Sequence, residues 1–217
     1  MTGEAQHRSL RAAPRPHIAT EARGEVRAAF LVRDNLRHRR DIENVYLRAI
    51  GSAKSELLLA NAYFLPGRHF RRALLAAAAR GVRVTILLQG RVEYLLLDYA
   101  TRALYGSLLG AGVRIFEYRR SFLHAKVAVV DGTWATVGSS NIDPFSLFLA
   151  REANVVVTDK EFADRLLGSL RRAMAGGAVE IERDGWNKKP LLARIASWMA
   201  YSLVRLLAGL VGYGRQF

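Results

Sequence analysis

The chain has 217 residues, 51% of them hydrophobic, with no long low-complexity tract. That is enough apolar material for one substantial core and excludes a disordered or fibrous protein. It has no cysteine, which excludes a disulfide framework and thiolate metal sites and fits a reducing compartment, and its formal net charge of +14 favours anionic partners, either nucleic acid or an anionic bilayer surface.

Residues 1–27 mix Arg, Ala, Pro, Gly and His without periodicity and read as a tail or connector, without the hydrophobic stretch of a signal peptide. The pattern then becomes regular. Residues 29–32 predict a short strand, 41–52 a helix with Ile42, Val45, Tyr46 and Ile50 on one stripe, and 56–62 a buried strand. Pro66-Gly67 opens a helix over 68–80 that Gly81 closes. Residues 82–88 form a strand, 92–109 a helix, 113–117 a strand, and 122–130 and 134–137 two strands joined by the turn signal Asp131-Gly132. A strand over 151–157, a helix over 159–174 capped by Asp159, and a break at Gly176-Gly177 follow. The alternation of strand and helix predicts a mixed α/β sandwich.

Residues 190–212 are strongly apolar, but Arg194 and Arg205 interrupt them and leave no unbroken run near the roughly 20 residues needed to span a bilayer. The two arginines fall on nearly the same helical face, close to Tyr201, with Lys188 and Lys189 at the start. This segment reads as a helix lying in the headgroup region of a membrane, the alternative being a helix docked in a groove of the domain or of a partner.

The chemistry concentrates in His124-Ala125-Lys126, with Asp131 five residues after the lysine and Gly138-Ser139-Ser140-Asn141 beyond. A phosphodiester repels nucleophiles, so an imidazole that attacks phosphorus needs cationic and hydrogen-bonding groups beside it. Strand alternation puts His124 and Lys126 on one face, and Ser139 and Asn141 repeat that spacing on a neighbouring strand. His124 is then the nucleophile or general acid, and Lys126 the group that neutralises the phosphate. Ser139 and Asn141 donate to phosphate oxygens or hold the imidazole, the alternative being turn residues in Ser-Ser-Asn. Arg119 and Arg120, just before the catalytic strand, are placed to bind a lipid or nucleotide phosphate. The histidines have no partners at metal-ligand spacing, and neither metal nor other cofactor is implied.

These residues resemble the phospholipase D superfamily, whose signature is His-x-Lys-x4-Asp followed by Gly-Ser-x-Asn, and Glu152-Ala153-Asn154 matches its downstream Glu-x-Asn. Asn61-Ala62-Tyr63-Phe64-Leu65-Pro66-Gly67, residues 80–84 and residues 116–120 are similar to the C-terminal half of bacterial cardiolipin synthases of the type without N-terminal membrane spans. The resemblance implies a phospholipase D-like α-β-α sandwich around a mixed β-sheet over residues 28–178, one half of a two-motif pseudo-dimer, followed by a basic, apolar C-terminal segment at 179–217. It implies a catalytic set of His124, Lys126, Asp131 and Glu152, with Glu152 orienting the imidazole, although Asp131 itself reads as shaping its turn. It also implies phosphatidyl transfer through a phosphohistidine-type mechanism, a phospholipid substrate and a peripheral place on the cytoplasmic face of the bacterial inner membrane. None of His7, His17, His38 or His69 is followed two residues later by lysine, so a second motif must come from a second copy or from a separate N-terminal half. The competing functions are a homodimeric phosphodiesterase acting on nucleic acid, which the net charge suits, and an inactive half-protein that binds membranes.

Overall fold

The computed structural model describes residues 24–34, 38, 40–144, 151–188 and 190–208. Eight strands make one mixed sheet: β1 (Arg27–Arg33), β2 (Glu56–Asn61), β3 (Arg83–Gln89), β4 (Arg114–Tyr118), β5 (Lys126–Val130), β6 (Trp134–Gly138), β7 (Glu152–Thr158) and β8 (Ala178–Glu180). Their spatial order is β1-β7-β6-β5-β2-β3-β4-β8, with β2, β3 and β4 parallel and the other pairs antiparallel. The helices are α1 (Asp41–Ser52), α2 (Arg68–Ala79), α3 (Leu95–Arg102), α4 (Tyr105–Gly110), α5 (Lys160–Gly177), α6 (Arg183–Asn187) and α7 (Leu191–Ala208).

Two hydrophobic layers sandwich the sheet. Alternate residues of β2, Leu57 and Leu59 on one face and Leu58 and Ala60 on the other, go to different clusters. The first cluster takes in Ile42, Tyr46 and Ile50 of α1, Phe70 and Leu74 of α2, and residues of α3, α4, α6 and α7. Ala163, Leu167 and Leu170 of α5 build the second. Asp159 caps α5 by accepting a hydrogen bond from Phe162 N at 2.7 Å, which satisfies one of the unpaired donors of the first turn.

Four details depart from the sequence expectation. The predicted helix over 92–109 is two helices, divided where Leu104 N turns back to Thr101 O at 3.0 Å. Gly176-Gly177 does not break α5, which runs through both. Gly177 is needed for close approach, since a Cβ there would lie 2.5 Å from Arg120 Cβ. Strand β8, absent from the expectation, pairs with β4 and carries the sheet across the expected boundary at 178/179. Of the expected tail, residues 1–23 lie outside the described residues, and Arg27 already belongs to β1.

Candidate active site

The site is assembled where the C-terminal end of β2 meets the start of β5 and the loop after β6. The strand expected over 122–130 begins only at Lys126, so His124 lies in the irregular segment before it. Backbone pairing nevertheless persists there, with Ala62 N bonded to Ala125 O at 2.9 Å, and Leu123 N donates to Gln89 Oε1 at 2.9 Å. His124 is exposed, with the edge of the Tyr63 ring 6.4 Å away between centroids. Lys126 is only 7% exposed and its Nζ donates to His124 O at 3.3 Å. Burial lowers the Lys126 pKa, an effect that the carboxylates of Glu152, Asp143 and Glu93 counter. The lysine is therefore an enclosed cation held among acidic groups beside an accessible imidazole.

Behind them, Ser139 Oγ is hydrogen-bonded to the Glu152 carboxylate and accepts from Ala153 N at 3.0 Å. Gly138 makes this approach possible: a Cβ there would sit 2.2 Å from Asn154 Oδ1 and 2.4 Å from Ala153 O. No Glu152–imidazole hydrogen bond is formed among the described residues; the carboxylate meets Ser139 through one of its two oxygens. Asn141 is buried, and its Oδ1 accepts from Tyr63 N at 3.3 Å while Asn61 Oδ1 accepts from Ile142 N at 3.0 Å. These two carboxamides tie the loop after β6 to the end of β2 through their oxygens, so Asn141 staples the loop by its Oδ1, while the expected donation to phosphate concerns its Nδ2.

Asp131 lies apart from the other residues of the expected catalytic set, in keeping with its reading as a turn residue. It stands just past the far end of β5 from Lys126, roughly 17 Å along the strand at about 3.4 Å per residue. Its carboxylate accepts from Lys54 N, Ser55 N and Ser55 Oγ, each at 2.8 Å, and from Glu56 N at 2.9 Å, and its φ of 51° makes the turn. Burial works to raise its pKa, but those donors prevail and hold it at about 2. Asp131 thus clamps the start of β2 to the end of β5.

Of the two expected phosphate-binding arginines, Arg119 has a side-chain partner and Arg120 is held by its backbone. Arg119 is paired with the buried Glu117 at 2.7 Å, a carboxylate that Arg102 meets at 3.2 Å from the other side. The Arg120 carbonyl accepts from Arg91 at 2.7 Å.

Tyr63 and Glu93 lie beside the expected site and were not singled out by motif reasoning. Tyr63 donates its hydroxyl to Glu93 and packs edge-on against Tyr94 at 5.6 Å. Burial and Glu93 raise its pKa, which keeps the phenol protonated as a donor. The signal available was Asn61-Ala62-Tyr63, the polar end of an otherwise buried strand. Nothing local marked Glu93.

With this geometry, comparison with known proteins becomes informative. Residues 46–174 match the family described as cardiolipin synthase, PLD-like domain. The chain belongs to this family. Cardiolipin synthase B of Escherichia coli K12 is 41% identical over 201 residues, covering 92% of this chain and 49% of that protein. Cardiolipin synthase A of Proteus mirabilis is 34% identical over 166 residues, 76% of this chain and 34% of that protein. The chain spans about half the length, or less, of the curated relatives it matches. Among solved structures, the phospholipase D family member Nuc from Salmonella typhimurium superposes with a TM-score of 0.61 at 21% identity, covering 73% of this chain and 99% of that one. Phosphatidylserine synthase from Haemophilus influenzae gives 0.66 at 12% identity, covering 83% of this chain and 47% of that one. The fold is the phospholipase D-like α/β sandwich.

Proposed function

We propose that this chain carries one half of a phosphatidyl-transfer site that makes cardiolipin or a related phospholipid. The observation that carries the reading is the accessible His124 imidazole beside the enclosed Lys126 cation, within a chain of the cardiolipin synthase family. In the reaction a ring nitrogen attacks phosphorus, an N–P bond forms, and the P–O bond to the leaving alcohol breaks. The departing alkoxide takes a proton from a second acid. The acceptor alcohol then loses its proton and displaces the histidine, restoring the imidazole. Lys126 offsets the charge that gathers on the phosphoryl oxygens, and Ser139 holds Glu152 at the edge of the site.

One imidazole cannot be nucleophile and acid in the same step, so a second His-x-Lys-bearing half completes the site. A surface suited to it lies on the α5 face of the sheet, where Phe30 (68% exposed) and Val32 of β1 continue through Val155 of β7 to Val137 of β6, two residues from Ser139. Such an uncovered apolar face beside a catalytic edge fits a subunit or domain interface.

The membrane reading changes in detail. Helix α7 is long and apolar enough, by length and composition, to cross a membrane, but Ser197, Ala200, Tyr201 and Val204 are buried and the helix lies along α3. Tyr201, expected on the exposed basic edge, accepts a hydrogen bond from Arg205 at 3.0 Å. The opposite face leaves Leu192 (79% exposed), Met199 (67%) and Leu206 (60%) uncovered, and with the net charge of +14 this supports peripheral docking on an anionic bilayer. The test is turnover of labelled phosphatidylglycerol by wild-type chain and by His124→Ala. A salt-sensitive cleavage of nucleic acid with no lipid turnover supports the homodimeric phosphodiesterase in its place.

A further inference from the structure

We propose that the cleft between α3, α6 and α7 is a second lipid site, apart from the His124 centre, that holds one anionic phospholipid of the bilayer with its phosphate on Arg194. The inference holds whichever reaction His124 performs. Helix α3 presents two neighbouring stripes. Tyr94, Leu97 and Thr101 turn to the side of Tyr63, whereas Leu95, Tyr99 and Arg102 turn to α7 and, with Trp186, Ala193 and Arg194, line a cavity of about 220 Å³. That is room for several waters at roughly 30 Å³ each, and neither His124 nor Lys126 lines it. A second cavity of about 160 Å³, between α4 and α7, shares Trp186, Arg194 and Ser197 with the first. Arg194 therefore stands where the two meet.

The charges of the cleft decide the ligand class. Arg102 is paired with Asp98 at 2.8 Å and with the buried Glu117 at 3.2 Å, and Glu117 also meets Arg119, so two cations and two carboxylates balance one another. The Ser197 hydroxyl donates to Ala193 O at 3.0 Å. The exposed Arg194 guanidinium, by contrast, has no protein partner among the described residues. An unbalanced guanidinium between two cavities calls for an anion, and the oxygens of a phosphate suit its forked donors. The rim decides the rest. Leu191, Ile195 and Trp198 flank Arg194 within one turn of α7 and are exposed, as is Leu95 across the cleft. A soluble phosphate gains nothing from these side chains, whereas the glycerol and acyl carbons of a phospholipid cover them. With the uncovered face of α7 on a bilayer, this mouth opens at the headgroup level, where lipid phosphates lie.

The test follows the emission of Trp186, which is buried and lines both cavities, in the full chain carrying Trp198→Phe. Trp134, packed on Tyr46, supplies a constant background. The probes are monomeric dihexanoyl phosphatidylglycerol, dihexanoylglycerol, which lacks the phosphate, and glycerol 3-phosphate, which lacks the chains. Phosphatidylglycerol is expected to bind at least about tenfold more tightly than either fragment, and Arg194→Gln to weaken it about tenfold, the size of a hydrogen bond to a charged group. Lys126→Ala is expected to leave the same affinity within about twofold, because Lys126 does not line the cleft. Loss of the signal in Lys126→Ala assigns the lipid to the reaction centre and overturns the separate site. Glycerol 3-phosphate binding as tightly as the lipid makes this a site for soluble phosphate, and an affinity indifferent to Arg194→Gln leaves an apolar cleft alone. Either result overturns the proposal, as does unchanged Trp186 emission with all three probes. A shift that grows with chain concentration in the absence of lipid gives the cleft to a second copy and overturns it too. Turnover at His124 is read separately, so its absence bears on the transfer reading and not on this cleft.

Discussion

Replacing Asp131 separates a structural clamp from a catalytic group. In Asp131→Ala three backbone N–H groups, from Lys54, Ser55 and Glu56, and the Ser55 hydroxyl lose their common acceptor. The folded-state pKa lies at about 2 against an ordinary 3.8, a depression of nearly two pH units worth about 1.4 kcal/mol each. Because the side chain is partly exposed, solvent screening reduces the expected loss to about 1–2 kcal/mol. In a chain of this size that is a fall in Tm of roughly 3–6 °C. The folded pKa is the lower one, so the contribution is fully present above about pH 4 and is lost as pH falls through about 2. Urea unfolding of wild type and variant at pH 7 and pH 3 measures it, and the difference between them narrows at the lower pH. Lipid turnover per folded molecule stays within about threefold, a change below 1 kcal/mol in barrier. A variant of unchanged stability whose turnover falls a hundredfold refutes this reasoning and restores Asp131 to the catalytic set.

His124→Ala is expected to abolish turnover with a Tm within about 2 °C of wild type, since the exposed ring packs only edge-on against Tyr63. Lys126→Ala is expected to lower turnover by about 10²–10³, the scale on which charge stabilisation at a transition state is lost, and steady-state kinetics checks it. On α7, combined Leu192→Gln, Met199→Gln and Leu206→Gln is expected to weaken sedimentation with anionic liposomes while preserving Tm, because all three side chains are exposed. Val204→Asp on the buried side of the same helix (1% exposed) is expected to cost 3 kcal/mol or more in urea unfolding, as an unpaired charge forced into the core.

Where one local rule governed, the sequence was readable. Helix α1 has the bounds its apolar stripe predicted, and β2 and β3 fall within a residue or two of their apolar runs. What escaped depends on long-range partners. The division between α3 and α4 carries no glycine or proline signal, and β8 is three residues whose place is set by pairing with β4. Gly177 reads as a helix breaker until Arg120 is seen packed against it. At the site, spacing identified His124 and Lys126, although the strand rule invoked for both applies only from Lys126 onward. Asn141 was placed by spacing and Arg119 by its position before the catalytic strand, and neither rule reports the partners the fold gives them, Tyr63 N from across the sheet and the buried Glu117 two residues earlier. Glu93 comes to the site through the sheet, 31 residues before His124 in the chain, a separation that no local pattern bridges.

The central claim is most directly tested by following glycerol release and cardiolipin formation from dihexanoyl phosphatidylglycerol, with the chain alone at rising concentration and mixed with a separately expressed His-x-Lys-bearing half. The account predicts one glycerol released for each cardiolipin formed, in a preparation where the site is paired, and loss of both products in His124→Ala. Turnover that persists in that variant, or cleavage of DNA in a paired preparation that releases no glycerol, contradicts it.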